Sequence, residues 1–428
     1  MKLNKLLGKI KYLFITSMVL ASGMAREMIV ASHYGLSSQL DAYAAVLGFY
    51  VFLGNQIANT LESAFISKYS HLDNHELIEK LLTDQIGVLI MISLLCFLLF
   101  IQAENIISLV FDFDDKLITL SVNIVKYFIP SMIFGSLVGL LRAVLNIKGI
   151  YSPGFFYGII NSLSVIASIF LLQDKLGIYS LPFGYALGNF ITIIVYVICL
   201  KQVYKGIIFS DIRLGKFFNL WYSGIWILLS EVIFQCGYVT ERSIASKFGE
   251  GSISAFFYAV SILMVFSTLI FQPVSTIVFP IITRKYRENA DLALKYVLKI
   301  SYVLGFFGFI AAVIMYYLSP MVIELLFVRG NFSHEDAIRT SSLLQIMVFV
   351  LPFFSISRVI KNTLYAKGSF KLPIFANSIR WISLLIASLY LIEIYKINGL
   401  AIAYVLSNAL VPMIMCMHLF KISYAQKK

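Results

Sequence analysis

Hydrophobic residues along this chain come in runs of roughly 20, the length a helix needs to cross about 30 Å of hydrocarbon, separated by short polar stretches. The runs fall near residues 12–32, 41–67, 84–103, 119–146, 152–173, 179–200, 220–246, 253–283, 296–318, 337–365, 373–395 and 397–420. The ten-residue alternation of a membrane barrel does not occur. The pattern predicts an all-α integral membrane protein with about twelve transmembrane helices. Composition agrees: of 428 residues, 60% are apolar and only 13% charged. With a mean hydropathy of +0.87, that leaves too little polar surface for a water-soluble particle of this size.

The pattern is written twice. ASHYGLSSQLDAYAAV at 31–46 returns as ASKFGEGSISAFFYAV at 245–260, an offset of half the 428-residue chain. A second pair, FIPSMIFGSLVGLLRAVLNIKGIYSP and FVLPFFSISRVIKNTLYAKGSFKLP, sets Pro130 against Pro352, Lys148-Gly149 against Lys367-Gly368, and Pro153 against Pro373. Six helices per half keep both halves in one orientation, so the repeat is parallel, about an axis along the membrane normal. The expected organisation is an N-terminal lobe over 1–205, a basic cytoplasmic linker over 206–219 and a C-terminal lobe over 220–428. The start, MKLNKLLGKIKYLFITSMVLASGMA, has the basic and apolar regions of a secretory leader. Its pairing with 220–246 predicts a retained first helix instead.

Basic residues gather on one set of loops: Lys2, Lys5, Lys9 and Lys11; Lys201, Lys205, Arg213 and Lys216; Arg284, Lys285, Arg287, Lys295 and Lys299; Lys367 and Lys371; Lys421, Lys427 and Lys428. Short cytoplasmic loops are enriched in this way, which predicts that both termini are cytoplasmic. The net charge of +12 therefore reads as topology and contact with anionic lipid, not as a nucleic-acid surface. Cys96, Cys199, Cys236 and Cys416 lie inside apolar runs as packing residues. No His/Cys grouping has a metal-ligand spacing.

Charges inside a span cost about 2.5 to 3.5 kcal/mol each even on the lenient insertion scale, so they are expected to face protein or trapped water. In the seventh span Glu231, Gln235, Tyr238 and Arg242 share one helical face, and in the second Asn55, Asn59 and Glu62 repeat the spacing. The first span adds Ser22 and Arg26, whose charge is expected to stand alone on its helix; the eighth adds Ser261 and Gln272. One reading is a hydrated cavity where Arg26 and Arg242 hold phosphate bidentately and amides bond sugar hydroxyls. The other is that Arg242 pairs with Glu241 or Glu231 and the amides join helices. Arg142, Lys148, Arg358 and Lys361 are expected to snorkel to lipid phosphates at cytoplasmic helix ends. Asp41 is expected to cap the second helix. The acidic loop holding Asp112, Asp114 and Asp115 is expected to be a solvated face, while Lys126 and Arg380 have no assigned role.

Three stretches carry a family resemblance: AREMIVASHYGLSSQLDAY with Arg26 and Asp41, the run STIVFPIITRKY, and LLFVRGNFSHEDAIRTSSLLQ followed by LYAKGSFKLPI. In these the chain resembles the MurJ/MviN lipid II flippases of the multidrug, oligosaccharidyl-lipid and polysaccharide exporter (MOP) superfamily. The resemblance implies two six-helix lobes around a central cavity, lined chiefly by helices 1, 2, 7 and 8, that opens alternately to either side. The chain departs from the peptidoglycan branch where that branch carries a helix 2 arginine pair and this one reads FLGNQIANTLESAF, and where helix 8 has Ser261 for arginine. The branch's thirteenth and fourteenth helices have no counterpart among the twelve runs.

The expected function is therefore that of a flippase for a lipid-linked oligosaccharide. Its substrate would be an undecaprenyl-diphosphate-linked surface polysaccharide unit, crossing the bacterial inner membrane by alternating access. Lipid II transport and, further off, drug/cation antiport are the alternatives. No enzyme chemistry is expected, because the outer loops are short and no nucleophile and base pattern appears. No cofactor is expected; H+ or Na+ coupling, or the membrane potential, would drive transport. The partners are the glycolipid and the bilayer, with polysaccharide or cell-wall assembly proteins as further candidates and no nucleic acid.

Overall fold

The computed structural model describes the backbone of residues 2–203, 218–288, 290–366 and 371–425. Within these ranges it describes side chains except at 2–14, 202–203, 218–219, 222–223, 227, 272–277, 279–280, 283, 286–288, 290–292, 362, 365–366 and 420–425. Helices form where the apolar runs predict them. They are α1 (Lys2–Tyr34), α2 (Ser38–Tyr50), α3 (Ile57–Tyr69), α4 (Asn74–Val110), α5 (Asp115–Ile147), α6 (Ser152–Leu176) and α7 (Ser180–Val203). There follow α8 (Phe218–Ala245), α9 (Ser252–Glu288), α10 (Ala290–Phe327), α11 (His334–Met347), α12 (Leu351–Ala366), α13 (Lys371–Tyr395) and α14 (Ile397–Ala425). A π-helical turn, Val51–Gln56, joins α2 to α3, and a 3-10 turn, Val348–Val350, joins α11 to α12. Among the described residues there is no strand, only an isolated bridge between Arg329 and Phe332.

Nine stretches among the described residues are long and apolar enough to cross a bilayer. One of them, Ser152–Lys201, holds both α6 and α7, while α1 and α8 are not in the set. The all-helical membrane fold is as expected; length and apolarity alone do not fix the number of crossings at twelve. The chain divides into two compact units, Met1–Val30 with Ser38–Glu231, and Ala31–Ser37 with Val232–Lys428. The expected linker lies outside the described residues except for its last two backbone positions, and so does Lys367-Gly368 of the repeat.

In the first unit α5 is central. It packs against α2, α3, α4 and α7, and α6 lies along α7. Burial follows: 67% of the apolar stretch of α5 is buried, against 33% for α4. The exposed Ile90, Leu94, Phe97 and Ile101 of α4 recur at helical spacing as one lipid-facing stripe. Close approach of α5 to the π turn and to α3 depends on a small-xxx-small pair, Gly135 beside Gly54 and Gly139 beside Ala58. A side chain at Gly139 would run into the carbonyl of Ala58. Tyr50, just before the π turn, stacks on Phe128 at 5.1 Å and leans on Tyr185 at 4.8 Å.

In the second unit α13 pairs with α14, and α12 lies among α9, α10 and α14, around Val297, Val359, Ile360, Ala376 and Met415. Tyr258, Phe327 and Phe332 form a buried aromatic cluster with centroids 4.9, 5.6 and 5.8 Å apart. The tail of α1 belongs to this unit: the Asn331 N–H donates to the Ser32 carbonyl at 2.8 Å, and its side-chain amide to the His33 carbonyl at 2.6 Å. The repeat has a backbone basis here. Gly35 (φ +57) and Gly249 (φ +81) both end helical segments in the left-handed region, where a Cβ is penalised.

Candidate functional site

The first unit carries two polar clusters. On α1 the Arg26 guanidinium donates to one carboxylate oxygen of Glu27, from its Nε at 3.1 Å and a terminal nitrogen at 2.5 Å. It lies 5.3 Å from the ring centre of Tyr185. Arg26 is thus not a lone charge, and the neighbouring acid spares the span an uncompensated cation. The side chain keeps 20% of its surface exposed, and Glu27 occupies two of its three nitrogens.

The second cluster spans α3, α5, α6 and α7. Arg142 donates through Nε to Glu62 at 2.8 Å and through a terminal nitrogen to Glu62 and to Asn59 Oδ1 at 2.6 Å. Asn146 donates to the other Glu62 oxygen at 2.8 Å. The Tyr157 ring lies 5.9 Å from the guanidinium carbon, and its hydroxyl donates to Asn55 at 2.9 Å and Asn189 at 3.1 Å. Asn189, fully buried, donates to the Ser131 carbonyl at 2.9 Å.

Arg142 therefore does not snorkel to lipid phosphates as its place near a helix end suggested. The glycine seam draws α5 against α3, and an opposite charge within reach compensates the cation better than a long detour to the membrane surface. The spacing of Asn55, Asn59 and Glu62 also needs correction: Asn55 sits inside the π turn, whose i→i+5 bonding breaks the α-helical register. Asn59 and Glu62 meet on Arg142, whereas Asn55 turns to Tyr157. Asp112, Asp114 and Asp115 are exposed, as expected, and Asp114 also caps α5 by accepting from the Leu117 N–H at 2.9 Å. One acid assignment changes. Asp41 lies in the first turn of α2, which starts at Ser38, so it is not the cap.

In the second unit, Arg380 and Glu241 form an ion pair at 3.3 Å, with side chains 3% and 4% exposed. Arg380 also donates to the Phe234 carbonyl at 3.2 Å and fills the space beside Gly237 that a side chain there would take. Arg242 lies over the Tyr238 ring, its guanidinium carbon 3.3 Å from the centroid. Tyr238 and Arg242 share a face as their spacing predicts, while the Glu241 carboxylate pairs with Arg380. Gln235 is buried, and its Oε1 has no hydrogen-bond partner among the described residues. Ser261 is partly exposed, as is Glu231, which ends the first unit. The Gln272 side chain lies outside the described residues.

Sequence reasoning missed Glu27, Tyr157 and Asn189, and the pairing roles of Arg142 and Arg380. Glu27 was readable as the residue after Arg26; the other partners come together only through helix packing.

Set beside known proteins, this architecture has close counterparts. A probable lipid II flippase MurJ of Aquifex aeolicus is 25% identical over 368 residues, covering 82% of this chain and 70% of that protein. The solved lipid II flippase MurJ in its inward closed conformation superposes with a TM-score of 0.80 at 23% identity, covering 97% of this chain and 90% of that one. An inward-facing multidrug resistance MATE family transporter of the MOP superfamily follows at 0.78 and 13% identity, covering 95% and 94%. These two likenesses carry the fold. The family described as lipid II flippase MurJ matches residues 30–427, so this chain belongs to the MurJ family, a family of transport proteins and not of enzymes.

Proposed function

We propose that this chain translocates lipid II across the bacterial inner membrane. The observation that carries the reading is the family match, which runs through both units. It favours lipid II over the surface-polysaccharide unit that the missing arginines suggested. Arg26 is the proposed phosphate contact: it is partly exposed, and Glu27 leaves one terminal nitrogen to engage a diphosphate oxygen. Moving an anionic headgroup outward is assisted by an inside-negative potential worth about 2.3 kcal/mol per charge per 100 mV. We assign that potential as the first driving force, with both termini cytoplasmic.

The test is replacement of the resident lipid II flippase in a depletion strain. Growth restored by the wild-type chain but not by Arg26→Ala at equal protein level is the expected result. Failure to restore growth from correctly inserted protein, with loss of a surface polysaccharide on deletion of its own gene, returns the assignment to a polysaccharide unit.

A further inference from the structure

A groove of about 510 Å³ opens on the outside of the first unit between α5 and α7. Its depth in the membrane can be read from ring contacts. Tyr127 stacks on Tyr179 at 4.7 Å, and Tyr179 ends the turn Gly177–Tyr179 between α6 and α7, next to the exposed Asp174 and Lys175. Tyr127 and its neighbour Lys126 therefore stand level with a polar turn at the membrane edge, the depth at which interfacial tyrosines gather. Phe134 meets Phe190 at 5.6 Å, so α5 and α7 descend side by side. Phe183, Leu187 and Phe190, all exposed, fall on one face of α7 and line the groove. Seven residues of helix carry it about 10 Å inward, a third of the hydrocarbon depth.

The upper end is polar and cationic. Lys126 lines the groove and is exposed, its ammonium 5.2 Å from the Phe100 ring centre. Pro130 lies within α5 and has no N–H to give the Lys126 carbonyl, which leaves that carbonyl without its α-helical donor. A cation and a carbonyl at headgroup depth, above an apolar aromatic channel open to lipid, match an anionic phosphate with a neighbouring hydroxyl and one chain beneath it.

We propose that this groove is a binding site for one anionic phospholipid, its phosphate on Lys126 and one acyl chain between α5 and α7. The site is separate from the arginine clusters and does not depend on the identity of the transported lipid.

Native mass spectrometry of the full chain, delipidated and then titrated with phosphatidylglycerol or phosphatidylcholine, tests this. One phosphatidylglycerol should be retained in preference. Lys126→Gln should weaken that retention about fivefold, the factor equivalent to about 1 kcal/mol per interfacial lysine. Ala186→Trp, which fills the groove floor, should abolish retention of either lipid at this site. A photoactivatable acyl chain on phosphatidylglycerol should label α5 and α7 peptides in wild type and lose that label in Ala186→Trp. Equal retention of both lipids by wild type, unchanged retention in Lys126→Gln, or preferred binding of a polyprenyl phosphate in the same groove would overturn the proposal.

Discussion

The Glu62 carboxylate accepts from the Arg142 Nε at 2.8 Å across 80 residues of sequence, which ties α3 to α5 at a point where each side chain alone would be an uncompensated charge. Breaking such a pair from one side costs about 3 to 5 kcal/mol, whereas replacing both partners costs less. Glu62→Leu and Arg142→Leu should each lower the unfolding temperature of the purified protein more than the double variant does. Additive losses in a thermal-shift cycle would show that the pair is not coupled.

Close packing of the same two helices gives a second prediction. With no room for a side chain between Gly139 and the Ala58 carbonyl, Gly139→Val should push α5 away from α3. Overpacking of this kind costs about 1 to 3 kcal/mol. Folded yield after size-exclusion chromatography should fall for Gly139→Val and stay normal for Gly23→Ala, where the space is open and the backbone is helical. Equal yields for wild type and Gly139→Val would contradict the close contact.

The periodicity of apolar runs exposed the helices, and the duplicated ASHYG and ASKFG loops showed the halves, because both rest on local backbone requirements. Long-range pairings were hidden for the opposite reason. Arg142 and Glu62, or Arg380 and Glu241, are 80 and 139 residues apart, and no local rule brings them together. The π turn was equally invisible: FLGNQIANTLESAF reads as one unbroken helix, and only packing against α5 reveals the extra residue that redirects Asn55.

Charge asymmetry between loops predicts the orientation. A cysteine introduced at position 213 in a variant free of native cysteines should be unreactive toward an impermeant maleimide in intact cells and should react once the membrane is opened. Labelling from outside would invert the topology.

Arg26 and Glu27 act as a unit in this account. Glu27→Gln should leave the guanidinium in place and keep transport measurable. Arg26→Lys should recover only part of it, since an ammonium lacks the planar fork that lets one side chain hold Glu27 and still present an N–H to the diphosphate. Transport by Arg26→Ala equal to wild type, at matched protein level, would remove the residue from the substrate path.

The most direct measurement follows newly made lipid II in cells whose only flippase is this chain, using an impermeant reagent that modifies the headgroup from outside. Labelled lipid II should appear in the outer leaflet with the wild-type protein; with Arg26→Ala it should fall at least tenfold, a loss of about 1.4 kcal/mol, and accumulate unlabelled inside. Headgroup exposure that stays the same with and without the protein would contradict lipid II transport by this chain.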